Sequence, residues 1–341
     1  MKTPQITIRD LAHRLNISVS TVSRALRNAP DINEETKQAV LDMARQLKYE
    51  PNRVAQSLRS NKTNTLGVIV PEIELHFFSA SISGIQEYAT QQGYTIMITQ
   101  SLETYAMEKN NLQMLVANRV DGLIISLSSQ TRNVEHLRDL LERDIPVIMF
   151  DRVSDEINVS KVIVDDHDGA YKLVSHLIET GCKRIAFLGG PENLYISQQR
   201  KKGYLDALRK HGYPIVDEII VHARDIQYNS IHGAQKLLDL NDRPDAIFCF
   251  IDPIAIPTMQ LAKEKGISIP DELSIAGFTN EPVSQYIEPS LTTVAQPAFE
   301  LGKEAARLFF EQMRDKENFE PVTKVVPTEL IIRNSTRKTR N

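Results

Sequence analysis

The chain has 341 residues and carries 40 Lys+Arg against 44 Asp+Glu, a formal net charge of −4. At 41% hydrophobic and 25% charged it has the composition of a folded protein of two or three domains, not of a disordered one. Two cysteines exclude a disulfide framework and a cysteine-built zinc site, no apolar run reaches the ~20 residues of a membrane span, and the charged opening MKTPQITIRDLAHRL lacks the apolar core of an export signal, so a cytoplasmic protein is expected.

The charge is unevenly spread. Residues 1–62 hold 11 basic and 6 acidic side chains, net +5, whereas residues 63–341 hold 29 and 38, net −9. A small basic head on an acidic body points to a polyanion, DNA above all, as the partner of the head.

Thr7-Ile8-Arg9-Asp10 has the form of a capping box with Asp in place of Glu, and Ile8, Leu11, Ala12 and Leu15 follow on one helical face. Asn16 suits the left-handed turn that ends this helix. Ser18 caps a second helix, Val19–Leu26, with Val22, Ala25 and Leu26 facing inward; Asn33 caps a third, with Val40, Met43, Ala44 and Leu47 inward. Three short helices, the first two joined by a tight turn, make a helix-turn-helix unit. The second helix is expected to expose Val19, Ser20, Ser23, Arg24 and Arg27. Short side chains let such a helix approach the bases, and Arg24 matches O6 and N7 of guanine. Thr7, Ser18, Thr21, Ser23, Asn28 and, beyond the third helix, Asn52 are assigned to phosphate contacts, which fix register without reading sequence. The plain alternative is a solvated face on a small helical bundle.

The next stretch, Tyr49-Glu50-Pro51-Asn52-Arg53-Val54-Ala55-Gln56-Ser57-Leu58, offers a Pro, an Asn cap and about two helical turns, too short to be stable alone in water. Leu58 is an apolar residue on a polar linker, either an ordinary exposed leucine or a wedge for a minor-groove base step. From Leu66 onward strands and helices alternate. Strands are expected at Leu66–Val70, Thr95–Thr99, Gly122–Ser126, Val147–Phe150, Val162–Val164, Ile185–Leu188, Ala246–Ile251 and Ser274–Gly277, with helices such as Ser79–Gln91, Glu108–Asn118, Asn133–Glu142, Gly169–Glu179 and Ser197–Lys210 between them. That alternation argues two sets of parallel strands covered by helices. The last residues, from Arg333, are polar and basic, hold no leucine heptad and read as a frayed end.

The segments IRDLAHRLNISVSTVSRALRN and YEPNRVAQSLRS, followed by LGVIVPE, VDGLIIS, IPVIMFDR, GCKRIAFLGGP, IPDELSIAGFTN and PSLTTVAQP in the same order, resemble the lactose-repressor (LacI/GalR) family of bacterial transcription regulators along essentially the whole chain. The resemblance implies a helix-turn-helix headpiece (1–50), a hinge helix (51–62), and a two-lobed α/β body like the type-1 periplasmic binding proteins (63–341), its N-lobe about 63–160 plus 291–322 and its C-lobe about 161–290 plus 323–341. It implies a homodimer on a pseudo-palindromic DNA operator, with Val19, Ser20 and Arg24 reading the major groove and Ala55 and Leu58 of paired hinges at the central minor groove. It also implies a small effector, a sugar, sugar phosphate or similar carbohydrate-like molecule, held between the lobes by Phe77, Phe78, Asp151, Arg200, Thr279, Asn280 and Gln296. The Phe pair reads equally as core, and Asp151-Arg152 as a surface ion pair.

The chain departs from the family pattern where Thr279 stands for a hydroxyl-gripping Asp and apolar Ile251 for a polar residue. These changes weaken a sugar grip and leave room for an anionic group facing Arg200. Asp252 reads as the cap of the following helix, and His176 as a helix-surface residue. An enzyme is not expected: there is no GxGxxG or P-loop, Gly189-Gly190-Pro191 is too short to cradle a diphosphate, and the eight histidines show no metal-ligand spacing, so no cofactor or metal is assigned. A transport receptor would fit the body but not the head. Control by a protein partner, or no effector at all, is the alternative to the small-molecule reading.

Overall fold

The computed structural model describes residues 6–49, 62–222 and 229–337, in two units that divide after Asn64. The first is a three-helix headpiece: α1 (Ile8–Leu15), α2 (Val19–Leu26) and α3 (Glu34–Gln46). Each boundary has a local cause. Thr7 donates both its backbone N–H and its hydroxyl to Asp10 Oδ2 at 2.7 Å, Asn16 turns the chain at φ 52°, Ser18 Oγ accepts from Thr21 N at 3.0 Å, and Asn33 Oδ1 accepts from Thr36 N at 2.7 Å. Leu11, Ala12, Val22, Ala25 and Val40 form the small core. The hinge positions Asn52, Ala55 and Leu58 lie outside the described residues.

The second unit carries two six-stranded sheets. Its elements run β1 (Thr65–Val70), α4 (His76–Gln91), β2 (Thr95–Gln100), α5 (Tyr105–Ala117), β3 (Gly122–Ile125), α6 (Glu135–Glu142), β4 (Val147–Phe150), β5 (Ser160–Val164), α7 (Asp166–Glu179), β6 (Ile185–Gly189), α8 (Tyr195–Lys210), β7 (Ile220–His222), α9 (Asn229–Leu238), β8 (Ala246–Cys249), α10 (Asp252–Glu264), β9 (Ser274–Thr279), β10 (Thr292–Ala295), α11 (Ala298–Arg314), β11 (Thr323–Val326) and β12 (Glu329–Ile331). The first sheet has the order β11-β5-β4-β3-β1-β2 and the second β12-β10-β9-β8-β6-β7. All pairings are parallel except β10 with β12. Central strands β3, β4, β5, β6 and β8 are buried throughout, as parallel strands covered on both faces must be.

The lobe limits differ from the sequence expectation in a regular way. β5 lies in the first sheet rather than the C-lobe, β10 in the second rather than the N-lobe, and the stretch after residue 322, expected wholly in the C-lobe, holds two strands, β11 in the first sheet and β12 in the second. Each of the three crossings therefore comes one strand later than expected, after Val164, Ala295 and Val326. The reason is that a crossover strand completes the sheet the chain is leaving, and its hydrophobic pattern carries no mark of which sheet that is. Within the N-lobe, α4 and α11 pack backbone to backbone: a Cβ on Gly84 would lie 2.0 Å from Phe299 O and one on Gly302 1.9 Å from Ser81 O, so only glycine permits the approach.

The tail is not frayed as far as it is described. Ser335 and Thr336 are buried, Ser335 Oγ donates to Ile275 O at 2.6 Å and accepts from Thr292 N at 2.8 Å, and Thr336 Oγ1 reaches His176 Nε2 at 3.0 Å. That contact also explains why His176 is 6% exposed instead of on the surface.

Candidate DNA-reading helix and interlobe cleft

In the headpiece Val19, Ser20, Arg24 and Arg27 share the exposed stripe of α2, with Val19 42% exposed. Ser23 does not: it is 9% exposed, because α2 packs against both α1 and α3 and its solvent-facing stripe is narrower than a single buried face would leave. Ser18 is engaged as the helix cap, with Ser20 Oγ at 2.6 Å and Thr21 Oγ1 at 2.8 Å from its hydroxyl. Asn28 is exposed at φ 56° just beyond α2. Arg24 forms an ion pair with Asp31 in the loop before α3, both side chains being about half exposed.

In the body, strand ends and the loops that follow them enclose a cleft lined from both lobes. Leu75, Phe77, Phe78, Asp151 and Arg152 come from one side; Ile196, Arg200, Phe250, Ile251, Pro253, Thr279 and Glu281 come from the other, with Gln296 on a crossing segment. This is where open parallel sheets place ligands, beyond the carboxyl ends of their strands. Of the sequence-assigned residues, Phe77, Phe78, Asp151, Arg200, Thr279 and Gln296 meet here. Asn280 does not line the cleft; its Oδ1 accepts from Arg333 Nη2 at 2.8 Å. Phe77 and Phe78 belong to the core as well as to the wall, stacked edge to face with centroids 5.2 Å apart.

The charges of the cleft are buried. Asp151, at φ 57° after β4, is 4% exposed, and so is Arg152, so this is no surface ion pair. Burial pushes the Asp151 carboxyl up to about 7, with Arg152 and Arg200 opposing the rise and Asp166 and Glu103 adding to it. Arg152 Nη1 donates to both carboxylate oxygens of Glu103 at 2.8 Å. Arg200, 1% exposed, donates from Nε to Asp166 Oδ1 and from Nη1 to Phe250 O, each at 2.7 Å, and its guanidinium lies 3.8 Å over the Phe278 ring. Burial likewise pushes Asp166 up, Arg200 opposing. Asp166 was invisible in the sequence: three acids at the start of a helix read as ordinary first-turn charges. Asp252 does not cap α10, whose N-cap is Ile251. Its carboxylate instead accepts from Glu281 N at 2.9 Å and from the Ser284 and Thr293 hydroxyls at 2.6 Å, pinning the loop after β9.

The free space in the cleft is about 30 Å³, room for a water but far below the roughly 300 Å³ or more of a sugar-sized site. Three buried polar atoms of its lining residues have no hydrogen-bond partner, Arg152 Nε, Thr279 Oγ1 and Gln296 Nε2, and neither do Asp166 Oδ2, on the carboxylate that holds Arg200, and Ser197 Oγ, next to the lining Ile196. Such atoms are costly unless a ligand or water satisfies them.

Residues 7–52 match the lacI family of bacterial regulatory proteins, and residues 174–336 match the periplasmic binding protein-like domain. The chain is 34% identical over 335 residues to the HTH-type transcriptional repressor CytR of Escherichia coli strain K12, covering 97% of this chain and 96% of that protein. The chain belongs to the lacI family. This family member is a DNA-binding transcriptional regulator of the repressor type and not an enzyme. Its fold is that of the lac repressor dimer bound to operator and an anti-inducer, with TM-score 0.86 at 24% identity over 98% of this chain and all of that one. The cellobiose complex of the regulator CelR aligns with TM-score 0.74 at 25% identity, over 97% and 100% of the two chains. Among the described residues no helix is long and apolar enough to cross a membrane.

Proposed function

We propose that this lacI-family regulator is a cytoplasmic homodimer that represses from a pseudo-palindromic operator, and that a small hydroxylated effector bound between the lobes changes its operator affinity. The cleft carries the effector part of the reading: its walls come from both lobes and its free space is about 30 Å³, so a sugar-sized ligand needs the walls to move apart. A ligand with unequal affinity for the parted and closed forms shifts their populations, and with them the spacing of the two points where the bodies continue into residues 51–62. Only one spacing lets the paired hinge segments insert Leu58. The cellobiose bound by CelR supports a carbohydrate as effector.

Dimerisation is supported by an apolar patch around the edge strand β2. Ile98, Met107 and Met114 are 37%, 39% and 43% exposed, with Leu102 at 51% beside them. An unpaired strand edge flanked by exposed apolar residues marks an association surface. The operator-bound dimer of the lac repressor has the same fold.

The test joins two measurements on the full chain. Melting temperature is followed across a panel of sugars and nucleosides, and each stabilising compound is then titrated against operator binding. A compound that raises the melting temperature and shifts operator affinity supports the reading; stabilising compounds that leave operator affinity unchanged oppose it. Leu58→Ala should abolish tight operator binding and the effector response together, and retention of both would rule out the hinge.

A further inference from the structure

Each positive feature of the cleft is already matched by a carboxylate of this chain. Arg200 has Asp166 at 2.7 Å and Arg152 has Glu103 at 2.8 Å. The N-terminus of α4 has no acid in its first turn and an N-cap, Leu75, that cannot accept a hydrogen bond from its side chain. There the carboxyl of Glu281, from the opposite lobe, lines the same cleft and stands close enough to His76 to interact with it electrostatically. Asp151 has only a share in Arg152, at 3.9 Å from Nε. Two guanidinium groups and one helix end thus face four carboxyl groups around a space of about 30 Å³. Of the atoms left without hydrogen-bond partners, the Ser197 and Thr279 hydroxyls, the Gln296 amide nitrogen and the second Asp166 oxygen are of the kind a neutral hydroxyl group satisfies, and Arg152 Nε, the cationic donor among them, already faces the Asp151 carboxyl at 3.9 Å.

We infer that Asp166 is a specificity residue which, by holding Arg200, makes this cleft reject anionic ligands, so that the effector is an uncharged hydroxylated molecule and not a phosphorylated one. The inference rests on the cleft being the effector site. An incoming phosphate would have to displace a buried carboxylate from Arg200 and leave it unpaired beside Asp151, where low dielectric makes like-charge repulsion strong. A hydroxyl group instead adds to the existing pair by bonding its free oxygen.

Inorganic phosphate is a sufficient probe, titrated calorimetrically into the full-length protein at constant ionic strength. The wild type is expected to show no phosphate binding that depends on Arg200, judged against Arg200→Gln, which also subtracts binding by the basic headpiece. Asp166→Asn should bind phosphate at least tenfold more tightly, and the double variant Asp166→Asn/Arg200→Gln should lose the gain. Glu281→Gln, which alters a half-buried side chain and spares the Arg200 pair, should leave phosphate binding at the wild-type level, and Asp166→Ser serves if Asp166→Asn does not fold. Arg200-dependent phosphate binding by the wild type overturns the inference, and so does the absence of any gain in a folded Asp166 variant or an equal gain in Glu281→Gln. A gain of phosphate binding with no change in operator affinity keeps anion exclusion and removes the effector reading; an effector response without the gain does the reverse.

Discussion

Replacing Asp151 by Asn tests the electrostatics of the closed cleft directly. The Asp151 carboxyl is 4% exposed, and burial raises it from 3.8 to about 7. Below pH 4 it is protonated in both the folded and unfolded chain and contributes no pH dependence. Between pH 4 and 7 the folded chain holds a proton that the unfolded chain has released, so stability falls as pH rises; above 7 the penalty is constant. The distance from 3.8 to about 7, at about 1.4 kcal/mol per pH unit, corresponds to about 4 kcal/mol at full effect. Asn has nearly the same shape and no charge. The variant should therefore match the wild type near pH 4 and exceed it increasingly up to pH 7, with a plateau beyond. Urea denaturation midpoints of both proteins at half-unit pH steps, converted with a common slope, give the difference curve. A flat difference from pH 4 to 8, or one that favours the wild type as pH rises, would refute the assignment of a buried, weakly compensated carboxyl to this site.

Three further outcomes follow from the geometry. Arg24→Ala should lower discrimination at one operator base pair by about 1–3 kcal/mol, read by fluorescence anisotropy against single-base operator variants; an equal loss on every sequence would make Arg24 a phosphate contact. Asp252→Ala removes the acceptor of three hydrogen bonds and leaves the buried Ser284 and Thr293 hydroxyls without it, so a loss of about 3 kcal/mol in body stability is expected; a change below 1 kcal/mol in denaturation would count against its pinning role. Gly302→Ala would set a methyl group 1.9 Å from Ser81 O, and should lower the melting temperature of the N-lobe by forcing α4 and α11 apart, at a cost of about 1–3 kcal/mol. An unchanged melting temperature would mean that the helix pair relaxes freely.

Much of the molecule was legible in its sequence because the governing interactions are short. The headpiece caps Thr7, Ser18 and Asn33 act on residues three positions away, and the strands are marked by runs of four to six apolar residues bounded by polar turns. Order along the chain therefore told strand from helix and head from body, whereas the cleft residues came from the family resemblance, six of the seven lining one site. Glu281 and Asp252 are ordinary acids in ordinary positions when read in sequence. One faces the end of a helix in the other lobe, and the other ties down a loop.

By itself the sequence determined the three capped helices of the head, the alternating elements of the body and the residue types available for DNA and for a ligand, since propensity, capping and periodicity act within a few residues. Only the tertiary structure decided that Ser23 turns inward, that each lobe crossing comes one strand late, that residues 333–337 are packed into the C-lobe, and that Arg200 is held by Asp166. Those outcomes depend on which surfaces topology brings together: Arg200 and Asp166 are 34 residues apart and Arg152 and Glu103 are 49 apart. No pattern within a helical turn or a strand encodes such a meeting, yet it sets the charge of the cleft.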